Sequence, residues 1–256
     1  PTGRAAKRMS ELVGWEATTI HRLLDMEYDS ERGRFGFVHG ENDPIDYDAV
    51  VVDETSMIDI QLMRALLEAL PWKCRLVLVG DPDQLPSVGP GSVLADMIVS
   101  RVIDTVCLTE IFRQAGQSSI VLAAHAVNSG LVPDLTKNKG DFFFVSCEES
   151  AKAQQLLLDL YKNRLPKNMG MPTSHIQVLS PSRTRDTGTI ALNRLLREAI
   201  NPASPGKKEV QFGTVLFREG DKVMQVQNNY DIIWRKQDGT AGMGVFNGDI
   251  GTVLRI

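Results

Sequence analysis

The sequence predicts a mixed α/β protein built on a doubly wound parallel sheet, followed by a second α/β unit and a β-rich tail. Two short, all-apolar runs rich in β-branched residues, Ala49–Val52 and Leu76–Val79, read as parallel strands buried on both faces. Between them Leu62, Met63, Leu66, Leu67 and Leu70 recur at helical spacing, with Asp59 placed to cap the helix and Pro71 to end it. With a helix over 92–100 and a strand at Val106–Leu108, the order becomes strand, helix, strand, helix, strand, the grammar of a doubly wound domain.

The flanking elements follow from their punctuation. Residues 4–14 read as a helix that ends at Gly14, and ATTIHRLLD as a second one with a threonine cap and Ile20, Leu23 and Leu24 on one face. From Tyr28 to Tyr47 the chain is polar and glycine-rich, a loop or weak hairpin. Beyond residue 115, helical stretches at 118–128 and 150–165 precede a strand at Ile176–Leu179. The helix after it carries Leu192, Leu195, Leu196 and Ala199 on one side and stops at Asn201-Pro202. Residues 210–256 alternate in short β-like runs, with Asn247-Gly248 as a hairpin turn signal. The expected division is 1–114, 115–208 and 209–256.

A content of 43% hydrophobic and 23% charged residues excludes a disordered chain, and no apolar run reaches the length of a membrane span. The net charge of −4 is silent on nucleic acid, because a protein that tracks a strand needs only a local basic groove such as Arg4, Lys7 and Arg8. Cys74, Cys107 and Cys147 are far apart and form no metal or disulfide pattern. Cys74 and Cys107 read as small buried hydrophobes, and the setting as reducing and cytoplasmic. The chain opens on Pro1 rather than methionine, which reads as a fragment or a trimmed chain.

In a doubly wound sheet, ligands gather at the carboxyl ends of the strands. Asp53, Glu54, Asp81 and Glu110 all sit just past a predicted strand. VVVDETS delivers an aspartate and then a glutamate to that edge, a Walker B pattern. The aspartate suits Mg2+, which takes one or two carboxylates plus phosphate oxygens, and the glutamate suits a base that orients and deprotonates water. Read alone, the same pair equally fits two exposed acids closing a strand. GDPDQLPSVGPG follows the next strand as a stiff polar loop, in which Gln84 is placed to sense a terminal phosphate and the attacking water. Arg113, in LTEIFRQ, is either a group that stabilises charge on a transferred phosphoryl or a surface ion pair.

Taken in order, PTGRAAKR, ATTIHRLL, VVVDETSMID, LVGDPDQLPSVGPGSVL and LTEIFRQA resemble motifs Ia, Ib, II, III and IV of superfamily 1 helicases. The wording is that of the RecD/TraA branch, which includes the alpha subunit of exonuclease V. VLSPSRTRDTGTIALNRLLREAINP, FREGDKVMQVQNNYD and VFNGDIGTV are similar to that branch's second motor domain. The resemblance implies two RecA-like domains, the first incomplete, with ATP between them and single-stranded DNA across them, and movement 5′ to 3′, in recombination or repair. It implies that Asp53 binds Mg2+, Glu54 activates water, Gln84 senses the terminal phosphate and Arg113 acts from motif IV. Thr2, Gly3 and Arg4 would contact the DNA backbone.

The branch's phosphate loop is expected before motif Ia and motifs V and VI after the β-rich segment, where the small barrel insertion begins. The resemblance therefore implies a chain that is inactive as an ATPase alone and works, as a monomer or beside other nuclease–helicase subunits, in a longer protein. A non-hydrolysing module that holds single-stranded DNA or a partner is the alternative. Ser180, Arg183, Thr184, Asn229 and Asn247 are further DNA candidates, each equally readable as a solvated loop residue. His21 reads as packing or capping locally, and Trp15, Trp72 and Trp234 as core or partly buried, with base stacking as the other reading.

Overall fold

The computed structural model describes residues 2–29, 33–108, 118–136, 140–236 and 238–256. It divides into two compact units, one of residues 1–116, 128–131 and 226–248, the other of 117–127, 132–225 and 249–256. Residues 226–248 thus belong with the amino-terminal unit, far from it in sequence.

The first unit opens with α1 (Gly3–Val13), whose Thr2 hydroxyl accepts from the Ala5 amide and whose end is turned by Gly14 at φ 74. α2 (Ile20–Leu23) is capped in the same way by Thr19 and buries Ile20, with Leu24 beyond it. β1 (Met26–Asp29) and β2 (Arg34–Phe37) form an antiparallel hairpin. β3 (Ala49–Val52) pairs in parallel with β4 (Arg75–Leu78), and α3 (Ile60–Ala69) connects them. α4 (Val93–Ser100) follows. The core gathers Ile20, Leu24, Ile45, Val50, Val52, Ile58, Met63, Leu66 and Val93.

Two expectations for the sheet change. β3 is buried on one face only: Val50 and Val52 enter the core, while Val51 is 57% exposed and Val77 of β4 is 48% exposed. Met63, Leu66 and Ala69 of α3 share the core with Val50 and Val52, while the other face of the pair stays about half exposed. Val106–Leu108 is not a strand, and Val106 and Leu108 are almost fully exposed. A strand is made by its hydrogen-bonded neighbour, and this run has none among the described residues.

The second unit holds α5 (Ser119–Asn128), then α6 (Ser150–Asp159), which passes through a π-helical turn at Leu160–Arg164 into α7 (Leu165–Met169). α8 (Thr189–Ile200) packs on α6. β5 (Glu209–Phe212) pairs antiparallel with β6 (Val215–Arg218), and β7 (Lys222–Met224) with β10 (Ile250–Thr252). The expected strand at Ile176–Leu179 pairs with no strand among the described residues, for the same reason as Val106–Leu108. Arg218 is buried and ties this unit together. Its Nε donates to Glu209 at 2.5 Å, it reaches the Asn201 carbonyl, and its backbone amide donates to Asp221 at 2.8 Å.

β8 (Asn229–Arg235) and β9 (Ala241–Val245) form the long hairpin that belongs to the first unit. The expected hairpin turn at Asn247-Gly248 is instead the link from β9 to β10, which lie in different ladders. Gly239, at φ 88, lies in the connection between β8 and β9. No described helix is long and apolar enough to cross a membrane.

Two of the tryptophans, and Cys74 and Cys107, depart from expectation as well. Trp15 is exposed and Trp72 is 99% exposed, standing at the rim of a cavity of about 610 Å³ beside Ile60, Met63 and Met97. Cys107 lies on the surface and Cys74 is half-buried, because their apolar runs are not packed on both sides. All three cysteines are free thiols.

Candidate functional site

Parallel pairing sends β3 and β4 out of the sheet at the same edge. Val52 is in register with Leu78, and the Val79 amide continues the ladder to the Val52 carbonyl at 2.8 Å. Asp53-Glu54 and Gly80-Asp81 therefore leave side by side, which is how the acidic pair and the glutamine-bearing loop come to share one edge.

Thr55 fastens that edge. Its hydroxyl lies 3.1 Å from the Val52 carbonyl and 2.9 Å from that of Val79, its amide donates to Val79 at 3.0 Å, and its side chain is fully buried. Sequence reasoning gave Thr55 no role, although a β-branched hydroxyl directly after the acidic pair was the available signal. Glu54 sits in the left-handed region at φ 55, one of three described non-glycine residues with positive φ. A residue with a Cβ pays for that conformation, and such strain concentrates at functional sites. Asp53 Oδ1 accepts the Glu54 amide at 2.9 Å, which fixes the carboxylate at the strand end.

The loop after β4 is held from both ends. Near its start, Asp81 accepts the amides of Asp83 at 3.0 Å and Gln84 at 3.2 Å, and Gln84 is exposed. At its far end the Pro90 carbonyl accepts the Ile60 amide at 2.9 Å, and a Cβ on Gly89 would run into the Asp59 carboxylate. Asp59 also caps α3 by accepting the Leu62 amide at 2.8 Å, so one carboxylate sets the helix and leaves room only for glycine in the loop. Arg113 and Glu110 lie outside the described residues.

The residues expected at the DNA backbone are engaged inside the unit. Thr2 caps α1, the Arg4 guanidinium donates to the Gly248 carbonyl at 2.9 Å, and Gly3 is buried where a Cβ would collide with the Phe246 ring. Lys7 lies 5.0 Å from the ring centre of Trp234, and Arg22 lies 5.0 Å from that of Tyr230. α1, α2 and the β8–β9 hairpin thus enclose a cavity of about 350 Å³ lined by cations, acids and aromatic rings. The Trp234 ring covers Gly242 and donates to the Gly244 carbonyl at 2.8 Å, as expected of a partly buried tryptophan. Gly3→Ala is expected to push α1 off Phe246 at about 1–3 kcal/mol, the usual range for overpacking, read as a lowered thermal midpoint.

Of the other candidates, Ser180 ties its own loop, accepting the Ser182 amide at 3.2 Å and donating to the Thr187 carbonyl at 2.8 Å, while Arg183 and Thr184 are exposed. Asn229 and Asn247 are exposed in the first unit, Asn229 accepting the Asp231 amide at 3.1 Å. The two sets belong to different units. His21 packs against Phe37, as expected of a local role, with ring centres 5.9 Å apart. Burial pushes its pKa below the ordinary imidazole value, against the opposing pull of Asp59.

Residues 1–147 match the family model described as an AAA domain, and residues 192–256 match the ATP-dependent RecD-like DNA helicase SH3 domain. The chain belongs to the RecD-type helicase family. It is 34% identical over 255 residues to the ATP-dependent RecD2 DNA helicase of Deinococcus radiodurans, covering all of this chain and 31% of that protein. It is 27% identical over 284 residues to the RecBCD enzyme subunit RecD of Mycobacterium tuberculosis, covering 99% of this chain and 46% of the relative. A stretch of 114 residues is 44% identical to the RecD subunit of Mycolicibacterium smegmatis. The chain therefore spans less than half the length of these RecD relatives. The match to the RecD-like helicase SH3 domain begins inside α8 and runs to Ile256.

Proposed function

We propose that this chain is part of an ATP-driven motor that translocates 5′ to 3′ on single-stranded DNA in recombination or repair. The observation that supports it best is Glu54, held in a strained backbone at the end of a parallel strand and directly beside the Gly80–Gln84 loop.

Asp53 presents a hard oxygen ligand at the strand end, the donor type that Mg2+ accepts alongside phosphate oxygens, so the residues present suit that ion. The ion supplies charge neutralisation on the phosphates when bound. Asp53 would hold its water shell, while Glu54 orients the attacking water and takes its proton. Gln84 reports the terminal phosphate to its loop, and Arg113 meets the charge on the phosphoryl group. Thr2, Gly3, Arg4, Ser180, Arg183, Thr184, Asn229 and Asn247 are the proposed DNA contacts. The domain division proposed is a first RecA-like domain over 1–114, part of a second over 115–208, and the β-rich segment from 209. We place the protein in the cytoplasm, working as a monomer or beside nuclease–helicase subunits, in keeping with its free thiols.

The 256 residues contain no glycine-rich loop ending in Lys-Thr or Lys-Ser, so the chain alone is expected to lack turnover. The test compares DNA-stimulated ATP hydrolysis by the full-length product of the gene with that of the 256-residue chain. Stimulated hydrolysis by the first alone is the expected result. Tight binding of single-stranded DNA with no hydrolysis by either would replace the motor with a non-hydrolysing binding module.

A further inference from the structure

Two hydroxyls stand next to each other in the 3-10 turn at Thr55–Met57, and they are treated in opposite ways. That of Thr55 has two carbonyl partners. The Ser56 Oγ is buried and, among the described residues, is the one buried side-chain polar atom without a hydrogen-bond partner. Leaving a hydroxyl dry and unmatched is unfavourable, and folded proteins rarely keep one without a use. Two residues before it, Glu54 holds its positive φ. Within three residues, then, the turn carries both a backbone and a hydrogen-bonding cost.

The surroundings indicate where the missing partner would come from. Gly80, the first residue of the glutamine-bearing loop, lies against this turn: a Cβ there would stand 3.1 Å from the Thr55 amide nitrogen, 3.2 Å from that of Ser56 and 2.8 Å from Leu94 of α4. Within the loop, the Asp81 carboxylate accepts the Asp83 amide and the Asp81 carbonyl accepts the Gln84 amide. The loop backbone thus lies against the backbone of the turn that carries the unpartnered hydroxyl, and that hydroxyl bonds to nothing in this conformation.

We propose that Ser56 is the positioning residue that couples nucleotide state to the Gly80–Gln84 loop, its hydroxyl gaining a hydrogen bond to that loop when Gln84 is drawn to a terminal phosphate. The inference rests on the nucleotide site proposed above and adds to it the residue that relays its state. Ser56 touches no reacting atom; it acts through the loop. The bond it gains repays in the triphosphate state the cost it carries without nucleotide, which favours the loop conformation that Gln84 needs.

The test is Ser56→Ala, made both in the 256-residue chain and in the full-length product. In the chain, the thermal midpoint is expected to stay level or rise, because the substitution removes an unmatched polar atom and leaves every observed hydrogen bond intact. In the full-length product, DNA-stimulated kcat is expected to fall about tenfold, the scale of one lost hydrogen bond, with KM for ATP unchanged within about twofold. A lowered midpoint would show that the hydroxyl already serves the resting fold, and an unchanged kcat would show that it relays nothing; either overturns the proposal. If the wild-type full-length product shows no DNA-stimulated hydrolysis, the nucleotide site itself fails and takes the relay with it. An active wild type with an indifferent Ser56→Ala variant removes the relay alone.

Discussion

Glu54→Gln in the full-length gene product is expected to cut DNA-stimulated ATP turnover by about 10²–10⁴, the span that a positioned general base supplies. The amide keeps the size and the backbone demand of glutamate but cannot take a proton. Nucleotide affinity should stay close to wild type, because Glu54 is assigned to the water and Asp53 to the ion. Equilibrium binding of a labelled nucleotide beside steady-state turnover separates the two roles. Ordinary turnover by the variant would remove Glu54 from the chemistry, and equal losses in binding and turnover would show that it holds the nucleotide. A companion variant, Glu54→Gly, uses the same position differently. Glycine takes φ 55 without steric cost, so turnover should vanish while the fold loses nothing, as expected where strain is kept for function.

Leu66→Ala should cost about 2–5 kcal/mol in stability, the range for emptying a fully buried leucine site. Leu66 is 0% exposed and sits in the core with Ile58, Met63, Val50 and Val52. Its neighbour Leu67 faces outward at 48% exposure, and Leu67→Ala should cost less than about 1 kcal/mol. Chemical denaturation of the two variants, with equal m-values, is the measurement; similar losses for both would mean that α3 is seated differently. The consequence reaches the site, because α3 carries Asp59 at its cap and receives the Pro90 carbonyl at Ile60. A loosened α3 releases the far end of the Gly80–Gly91 loop.

Much of the first unit was legible in the residues alone. β3 spans Ala49–Val52 as the apolar run indicated, α1 stops at Gly14, and Asp59 caps α3. These features depend on backbone groups within about four residues of the side chain that decides them, so local sequence carries the information. The acidic pair was legible for a related reason: two carboxylates directly after a β-branched run emerge at a strand end once that run finds a partner, as Ala49–Val52 does in β4. Thr55 was missed because its second partner, the Val79 carbonyl, lies 24 residues away.

By itself the sequence determined the order of the motifs, the caps and turns that bound each helix, and the chemical types delivered to one sheet edge. Only the tertiary structure decided which apolar runs become strands, since Val106–Leu108 and Ile176–Leu179 have the composition but no neighbour to bond. It alone placed Gly3 and Arg4 against Phe246 and Gly248, contacts across more than 240 residues. The physical reason is the range of the forces. Capping and turn preferences act within one turn of chain, whereas strand pairing, burial and close approach are settled by segments that meet only when the chain folds.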